Sequence, residues 1–178
     1  MKNVIIISST PRIGGNSEIL AKEFARGCKD ASHSVEIINL RDYNLKYCMG
    51  CYACQKMGRC VHNDKMNEIS EKLLKADVIV FATPVYFYSM SGQLKVFIDR
   101  LVPIYTEISA DIYLIATQWD DNKEIMENTI NAIRGCTVDC FENCKEKGVI
   151  YGVGLSDIGD AKNNSDYMIQ AYTMGKNV

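Results

Sequence analysis

The chain carries no excess of charge of either sign: 20 Lys and Arg stand against 22 Asp and Glu, a net charge of −2. That balance offers no electrostatic footprint for nucleic acid or for an anionic membrane surface. No apolar run approaches the ~20 residues a bilayer-spanning helix needs. Met1-Lys2-Asn3 leads into only four apolar residues, Val4 to Ile7, too few for a signal-peptide core, so the expected location is the cytoplasm. Repeats, low-complexity tracts and linkers are missing too, and residues 1–178 read as one domain large enough for a real core. Histidine is scarce: His33 and His62 are the two present, and both read as surface residues. Two familiar nucleotide signatures are absent. No Gly-Lys-Ser/Thr follows the first glycines, which excludes a P-loop, and G-x-G-x-x-G spacing does not occur, which excludes the dinucleotide fingerprint.

What is present is organised around Val4-Ile5-Ile6-Ile7-Ser8-Ser9-Thr10-Pro11-Arg12-Ile13-Gly14-Gly15-Asn16-Ser17. Four β-branched residues predict a buried strand. Pro11 ends it, Gly14 and Gly15 allow a tight turn, and Asn16 or Ser17 can cap the helix that follows over 17–30. The first-turn amides of such a helix lack intrahelical partners and its dipole favours negative charge there. With Arg12 adding a fixed cation, the stretch predicts a site for a phosphate monoester; the plainer alternative is an ordinary strand-to-helix turn with solvated hydroxyls.

Further along, strands are predicted at 35–40, 77–82, 112–117 and 149–153. Helices are predicted at 66–75, 93–101 and 166–174, and from 124 to 133, continuing past 140. Strands and helices alternate five times and the strands are continuous apolar runs. The fold class is therefore α/β, a doubly wound five-stranded parallel sheet with helices on both faces. Ligands of such sheets sit beyond the carboxyl ends of the strands, where strand order reverses. The loops after the first, third and fourth strands should meet there.

The loop after the third strand, Thr83 to Gly92, holds Pro84, Val85, Tyr86, Phe87, Tyr88, Ser89 and Met90, with Ser91 as a helix cap. Three consecutive aromatics with backbone amides suit a flat heteroaromatic ring, although packing on a neighbouring helix or at a subunit interface is open to each of them. A phosphate loop and a planar-ring loop together fit one ligand with both parts, and flavin mononucleotide (FMN) has that shape.

Ser9-Thr10-Pro11-Arg12-Ile13-Gly14-Gly15-Asn16-Ser17 resembles the G-S-P-R-x-x-G-N-[ST] loop of the NADPH-dependent FMN reductase family, within the flavodoxin-like superfamily, with Ser9 and Thr10 replacing the usual glycine and serine. Thr83-Pro84-Val85-Tyr86, Gly92-Gln93-Leu94-Lys95 and Phe97-Ile98-Asp99-Arg100 resemble its second flavin loop and helix. The resemblance implies a flavodoxin-like fold with Ser9, Thr10, Arg12, Asn16 and Ser17 at the phosphate and Pro84 to Ser89 at the ring. The flavin would carry the electron chemistry, with no side-chain acid–base pair. Where the family often has a glycine-rich segment, this chain has Thr117-Gln118-Trp119-Asp120-Asp121-Asn122. Trp119 could lie against the flavin, line a substrate pocket or fill a dimer contact.

Eight cysteines are an unusual number, and in a reducing compartment they read as ligands, redox thiols or small core residues. Cys48, Cys51, Cys54 and Cys60 follow C-x2-C-x2-C-x5-C inside a long aperiodic loop, 41–63. Zinc and [4Fe–4S] both accept four thiolates, and the dense spacing favours the cluster. The spacing also resembles that of the iron–sulfur flavoproteins, while cluster-free reductases carry a similar stretch; thiols that only shape the loop are the third reading. Cys136, Cys140 and Cys144 recur at i, i+4, i+8 and read as small core residues along one helix face, and Cys28 as a lone helix residue.

The expected function is that of an FMN-dependent oxidoreductase. It would pass electrons from NAD(P)H, or from a ferredoxin-like donor, to a small-molecule acceptor such as a quinone, a nitro compound or free flavin. An iron–sulfur flavoprotein electron carrier and a flavin-binding, thiol-based regulatory protein are the alternatives. A homodimer or homotetramer is expected, to cover the aromatic rim of the flavin site.

Overall fold

Along β1 (Asn3–Ser8), Val4 and Ile6 face one apolar cluster and Ile5 and Ile7 face another, and all four are buried. A strand with apolar residues on both sides needs cover on both faces, and the computed structural model, which describes residues 1–178, supplies it. Parallel strands run in the order β2 (Ser34–Asn39), β1, β3 (Val78–Tyr86), β5 (Asp111–Thr117), β6 (Lys145–Gly152), and the two-residue β4 (Ser89–Met90) pairs antiparallel to the end of β3. This is the expected flavodoxin-like doubly wound sheet. One face is covered by α3 (Met66–Leu73), α4 (Gly92–Asp99) and α5 (Lys123–Thr137), whose Ile69, Phe97 and Ile130 join Ile79, Phe81 and Leu114 of the sheet. The other is covered by α1 (Asn16–Asp30) and α7 (Ser165–Lys176), with Leu20, Phe24 and Ala171 against Val78, Val80 and Ile115. No helix is long and apolar enough to cross a membrane.

From β1 the chain turns to β2 on one side and later returns to β3 on the other. Strand order reverses there, so a crevice opens between the loops that leave β1 and β3. The register fixes its floor: Ser8 pairs with Ala82, and Pro84 pairs with Thr117 of β5. Pro84 thus extends past the last β1 partner, where its missing amide costs no ladder bond.

Three elements differ from the sequence expectation. The third strand does not stop at Ala82; it continues through the expected loop to Tyr86 and turns back into β4. The helix expected past residue 140 ends at Thr137, where the Thr137 hydroxyl donates to the Ile133 carbonyl and a β-branched pair, Thr137-Val138, follows. The one-face stripe of Cys136, Cys140 and Cys144 therefore does not form. A short helix, α6 (Asp160–Asn163), lies in the polar stretch after β6. The 41–63 loop is largely irregular as expected, broken by a 3-10 turn at Leu40–Asp42 and one helical turn, α2 (Cys54–Met57).

Candidate functional site

The loop after β1 is held from below by Ser9. Its amide and hydroxyl both donate to the Ala82 carbonyl, at 2.9 and 3.0 Å, and its carbonyl accepts the Ser91 hydroxyl at 3.1 Å. The Ser91 amide in turn donates to the Thr83 hydroxyl at 3.1 Å. Ser9 is thus spent in joining the β1 loop to β3 and α4, and it is fully buried rather than presented to a ligand.

Above it, the start of α1 is short of partners. Gly15 stands at the N-cap with no side chain to cap the helix. No backbone carbonyl accepts the amides of Asn16, Ser17 or Glu18, and the buried Ser17 hydroxyl has no hydrogen-bond partner. Orphaned donors at a helix N-terminus, with a buried hydroxyl among them, make an anion site. A side chain at residue 15 would fill it, because a Cβ on Gly15 would lie 2.7 Å from the Thr10 hydroxyl. The Thr10 hydroxyl accepts the Arg12 amide at 3.2 Å, and the exposed Arg12 guanidinium reaches the Ser156 carbonyl at 3.4 Å.

A cleft of about 240 Å³ is lined here by Thr10, Arg12, Asn16, Ser17, Tyr86 and Trp119, together with Gly15, Pro84, Val85, Thr117, Gln118, Leu155 and Ser156. Arg12 is its one charged residue; no carboxylate, lysine or histidine lines it. The donor set fits the phosphate of FMN: a cation, free amides and a hydroxyl, with no negative group on the wall.

Gly15, Gln118, Leu155 and Ser156 are lining residues that sequence reasoning missed. The last two belong to the segment after β6, which closes the cleft from the far side. Asn16 is the staple: its amide nitrogen donates to the Asp157 carbonyl at 2.9 Å, and its side-chain oxygen accepts the Ala161 amide at 3.1 Å. The sequence predicts Asn16 at the phosphate; its two side-chain groups are engaged with this wall, and its backbone amide is left without a partner at the start of α1. Asp160 fixes the wall by accepting the Ser156 and Asp157 amides at 2.9 and 2.7 Å.

The aromatic stretch forms a two-residue hairpin turn. Tyr86 pairs with Ser89, and Phe87 and Tyr88 between them have φ of 49° and 58°. Both lie in the left-handed region, which costs a non-glycine residue about 1–3 kcal/mol, and such outliers concentrate at ligand sites. The tip points outward: Phe87 is 101% exposed, and Phe87, Tyr88 and Ser89 do not line the cleft, unlike Tyr86. Trp119, on the opposite rim, is 76% exposed. Beneath it the Gln118 side chain donates to the carbonyls of Asp120 and Asn122 at 3.0 and 2.8 Å and sets the course of that loop.

Cys48, Cys51, Cys54 and Cys60 line a second, separate basin of about 770 Å³, which shares no residue with the cleft at the start of α1. Cys136, near the end of α5, and Cys140, in the turn after it, face the same basin. All eight cysteines carry free thiols, and nowhere in the chain do three or more Cys, His, Asp or Glu side chains converge as a metal-ligand group. The loop thiols as placed are therefore no ready-made ligand set for a cluster or for zinc. Burial pushes the Cys28 and Cys136 thiols up to about 12, which makes them inert. The loop is closed at its base by Arg100, whose guanidinium donates to the Lys46 carbonyl and to Asp64.

Residues 1–117 match the NADPH-dependent FMN reductase family. Among curated relatives, an iron-sulfur flavoprotein of Methanocaldococcus jannaschii is 39% identical over 101 residues, 57% of this chain and 52% of that protein. The chain spans about half the length of the curated relatives it matches. Among solved structures, an NAD(P)H:quinone oxidoreductase from Methanothermobacter marburgensis aligns with a TM-score of 0.77 at 18% identity, over 99% of this chain and 95% of the other. An azoreductase from Bacillus anthracis aligns with a TM-score of 0.72 at 14% identity, over all of both chains. At such identities the structural likeness speaks for the fold, and the match over residues 1–117 carries the family: the chain belongs to the NADPH-dependent FMN reductase family.

Proposed function

We propose that residues 1–178 form one FMN-binding domain of an oxidoreductase that takes electrons from NAD(P)H and passes them to a small acceptor such as a quinone, a nitro compound or free flavin. The observation that carries this reading is the buried Ser17 hydroxyl without a partner, set among the unpaired amides at the start of α1 and facing a cleft whose one charge is Arg12. Bound there, FMN would supply hydride acceptance and electron delivery. The chain's own residues bind and orient. Arg12, Ser17 and the first amides of α1 hold the phosphate, the Thr10 hydroxyl shapes the turn, and Pro84 to Tyr86 with Thr117 and Trp119 form the walls toward the ring. The absence of a carboxylate, lysine or histidine from the cleft suits a reaction that needs no side-chain base.

A second copy of the chain, in a homodimer or homotetramer, would cover the exposed Phe87, Tyr88 and Trp119. The eight free thiols suit a reducing cytoplasm. A ferredoxin-like protein is the alternative electron donor.

The test is uptake and turnover. Protein stripped of flavin is titrated with FMN and then supplied with NADH or NADPH and a quinone in the absence of oxygen. Stoichiometric FMN uptake with nicotinamide-dependent quinone reduction is expected. Failure to bind FMN sinks the assignment, and binding without turnover leaves an electron carrier fed by another protein. The Arg12→Ala and Asn16→Ala double variant should lower FMN occupancy, through the lost cation and the loosened far wall.

A further inference from the structure

Glu18 occupies the third position of α1 and is 2% exposed, directly behind the anion site. A buried carboxylate beside a phosphate site calls for a reason. At this helix position a glutamate commonly reaches back to the N-cap amide. Here the Gly15 amide donates to the Arg12 carbonyl instead, at 3.2 Å, and Glu18 Oε2 accepts the Gly14 amide at 3.0 Å. Arg41 then meets Glu18 with a fork, Nη1 to Oε2 at 3.0 Å and Nη2 to Oε1 at 3.2 Å, and the same Nη1 donates to the Thr10 carbonyl at 3.4 Å. Lys22 pairs with Oε1 at 2.5 Å. Burial alone would raise the Glu18 carboxyl, and the bonds from Lys22, Arg41 and the Gly14 amide hold it below its ordinary value.

The consequence is geometric. The tip of the loop, Pro11 to Ile13, is exposed, and its two shoulders are clamped: the Thr10 carbonyl by Arg41 and the Gly14 amide by Glu18. Both clamps end on the same ion pair. Arg41 comes from the 3-10 turn after β2, a separate part of the chain, so the loop is fixed by an element that never touches the ligand cleft.

We propose that Glu18 and Arg41 are positioning residues for the phosphate of the flavin, clamping the shoulders of the loop so that Arg12 and the first amides of α1 converge on a phosphate monoester dianion. This rests on the reading of the cleft as an FMN site. Neither residue is catalytic. The clamp makes the site specific for the phosphorylated flavin, because riboflavin lacks the group that the clamp serves.

Two substitutions separate positioning from bulk charge. Glu18→Gln removes a negative charge near the anion, so charge alone would tighten FMN binding, whereas loss of the clamp weakens it. Arg41→Lys keeps the charge and loses the fork, so charge alone predicts no change. The probes are FMN and riboflavin, each titrated by quenching of flavin fluorescence, with the melting temperature of each flavin-free variant as the check on folding. The expected result is FMN affinity weakened about tenfold in both variants, as for loss of a charge-assisted hydrogen bond, with riboflavin affinity unchanged within about twofold. FMN binding that is unchanged or tighter overturns the proposal. So does an equal loss for FMN and riboflavin, which would make the pair merely structural. Wild-type protein that fails to prefer FMN over riboflavin overturns the phosphate reading of the cleft itself. A wild type that prefers FMN, beside variants that keep the preference, overturns only the clamp.

Discussion

Arg100 and Asp64 form a two-pronged ion pair, Nη1 to Oδ2 at 2.8 Å and Nη2 to Oδ1 at 2.9 Å, that closes the 41–63 loop on the end of α4. The guanidinium is fully buried and also donates to the Lys46 carbonyl at the other end of that loop. Burial alone would raise the Asp64 carboxyl, and the Arg100 fork with the Lys46 and Met66 amides brings it down to about 2. A carboxyl lowered in the folded state adds stability that is present above its unfolded pKa and is lost as pH falls through the folded one. The contribution, about 2 kcal/mol, should therefore disappear between about pH 4 and pH 2. Urea unfolding of wild type and Asp64→Asn across this range checks it. The variant should be about 3 kcal/mol less stable at pH 7, because Arg100 is left buried and unpaired, and the gap should narrow as the pH drops. A gap that stays constant with pH rules out the lowered carboxyl.

Ser17→Ala separates binding from stability. The buried Ser17 hydroxyl has no partner in the flavin-free chain, so its removal relieves a desolvation cost of about 1 kcal/mol and should raise the melting temperature slightly. The same change removes a donor to the phosphate and should weaken FMN binding about tenfold. Calorimetry of the apo-protein with an FMN titration reads both signs. A variant that loses stability shows that the hydroxyl has a protein partner.

The cleft at the start of α1 is legible in the sequence where one short segment carries its parts. Val4 to Ser17 holds the strand, the turn, the cation and the helix start, and local rules suffice for each. The far wall was not legible. Leu155 and Ser156 are held at the cleft by bonds between distant parts of the chain, from Asn16 across 141 and 145 positions to Asp157 and Ala161 and from the Leu155 amide to the Gln118 carbonyl, and nothing in the polar run after β6 announces those pairings. Of the aromatic stretch, Pro84, Val85 and Tyr86 line the cleft and Phe87, Tyr88 and Ser89 do not, and the segment is strand and hairpin where the sequence predicts a loop. Thr83 and Pro84 are strand because β5 offers a partner as far as Thr117, and Val85 and Tyr86 are strand because β4 folds back onto them. The turn at Phe87-Tyr88 lacks the Asn-Gly signature that usually marks such hairpins. The cysteine spacing was clear, yet spacing fixes only proximity along the chain. The backbone brings four loop thiols, Cys136 of α5 and Cys140 of the turn after it to one basin without gathering three of them as ligands.

Cys51→Ala tests the independence of the two cavities. The basin and the cleft share no lining residue, so FMN stoichiometry and affinity should match wild type within about twofold. Iron and sulfide are assayed alongside, on protein purified without oxygen. Loss of FMN in this variant would show that the loop thiols and the flavin site are coupled.

Gly27→Ala sets helix propensity against packing. Alanine is favoured over glycine inside a helix by about 1 kcal/mol, so propensity alone predicts a more stable protein. At Gly27, however, α1 meets α7 so closely that a Cβ would overlap the Tyr172 carbonyl oxygen and lie 2.8 Å from the Lys176 amide nitrogen. Gly175 on α7 is placed the same way against the Phe24 carbonyl. Backbone cannot give as a side chain can, so each alanine should force the helices apart and destabilise by about 2–3 kcal/mol. For a chain of this length that lowers the melting temperature by about 5–10 °C. Gly27 sits near the far end of α1 from Ser17, so FMN affinity measured well below the transition should be unchanged. Melting at or above the wild-type temperature in both variants would mean that α1 and α7 do not approach this closely. A fall in stability together with weaker FMN binding would mean that the packing of α1 on α7 also sets the anion site at its other end.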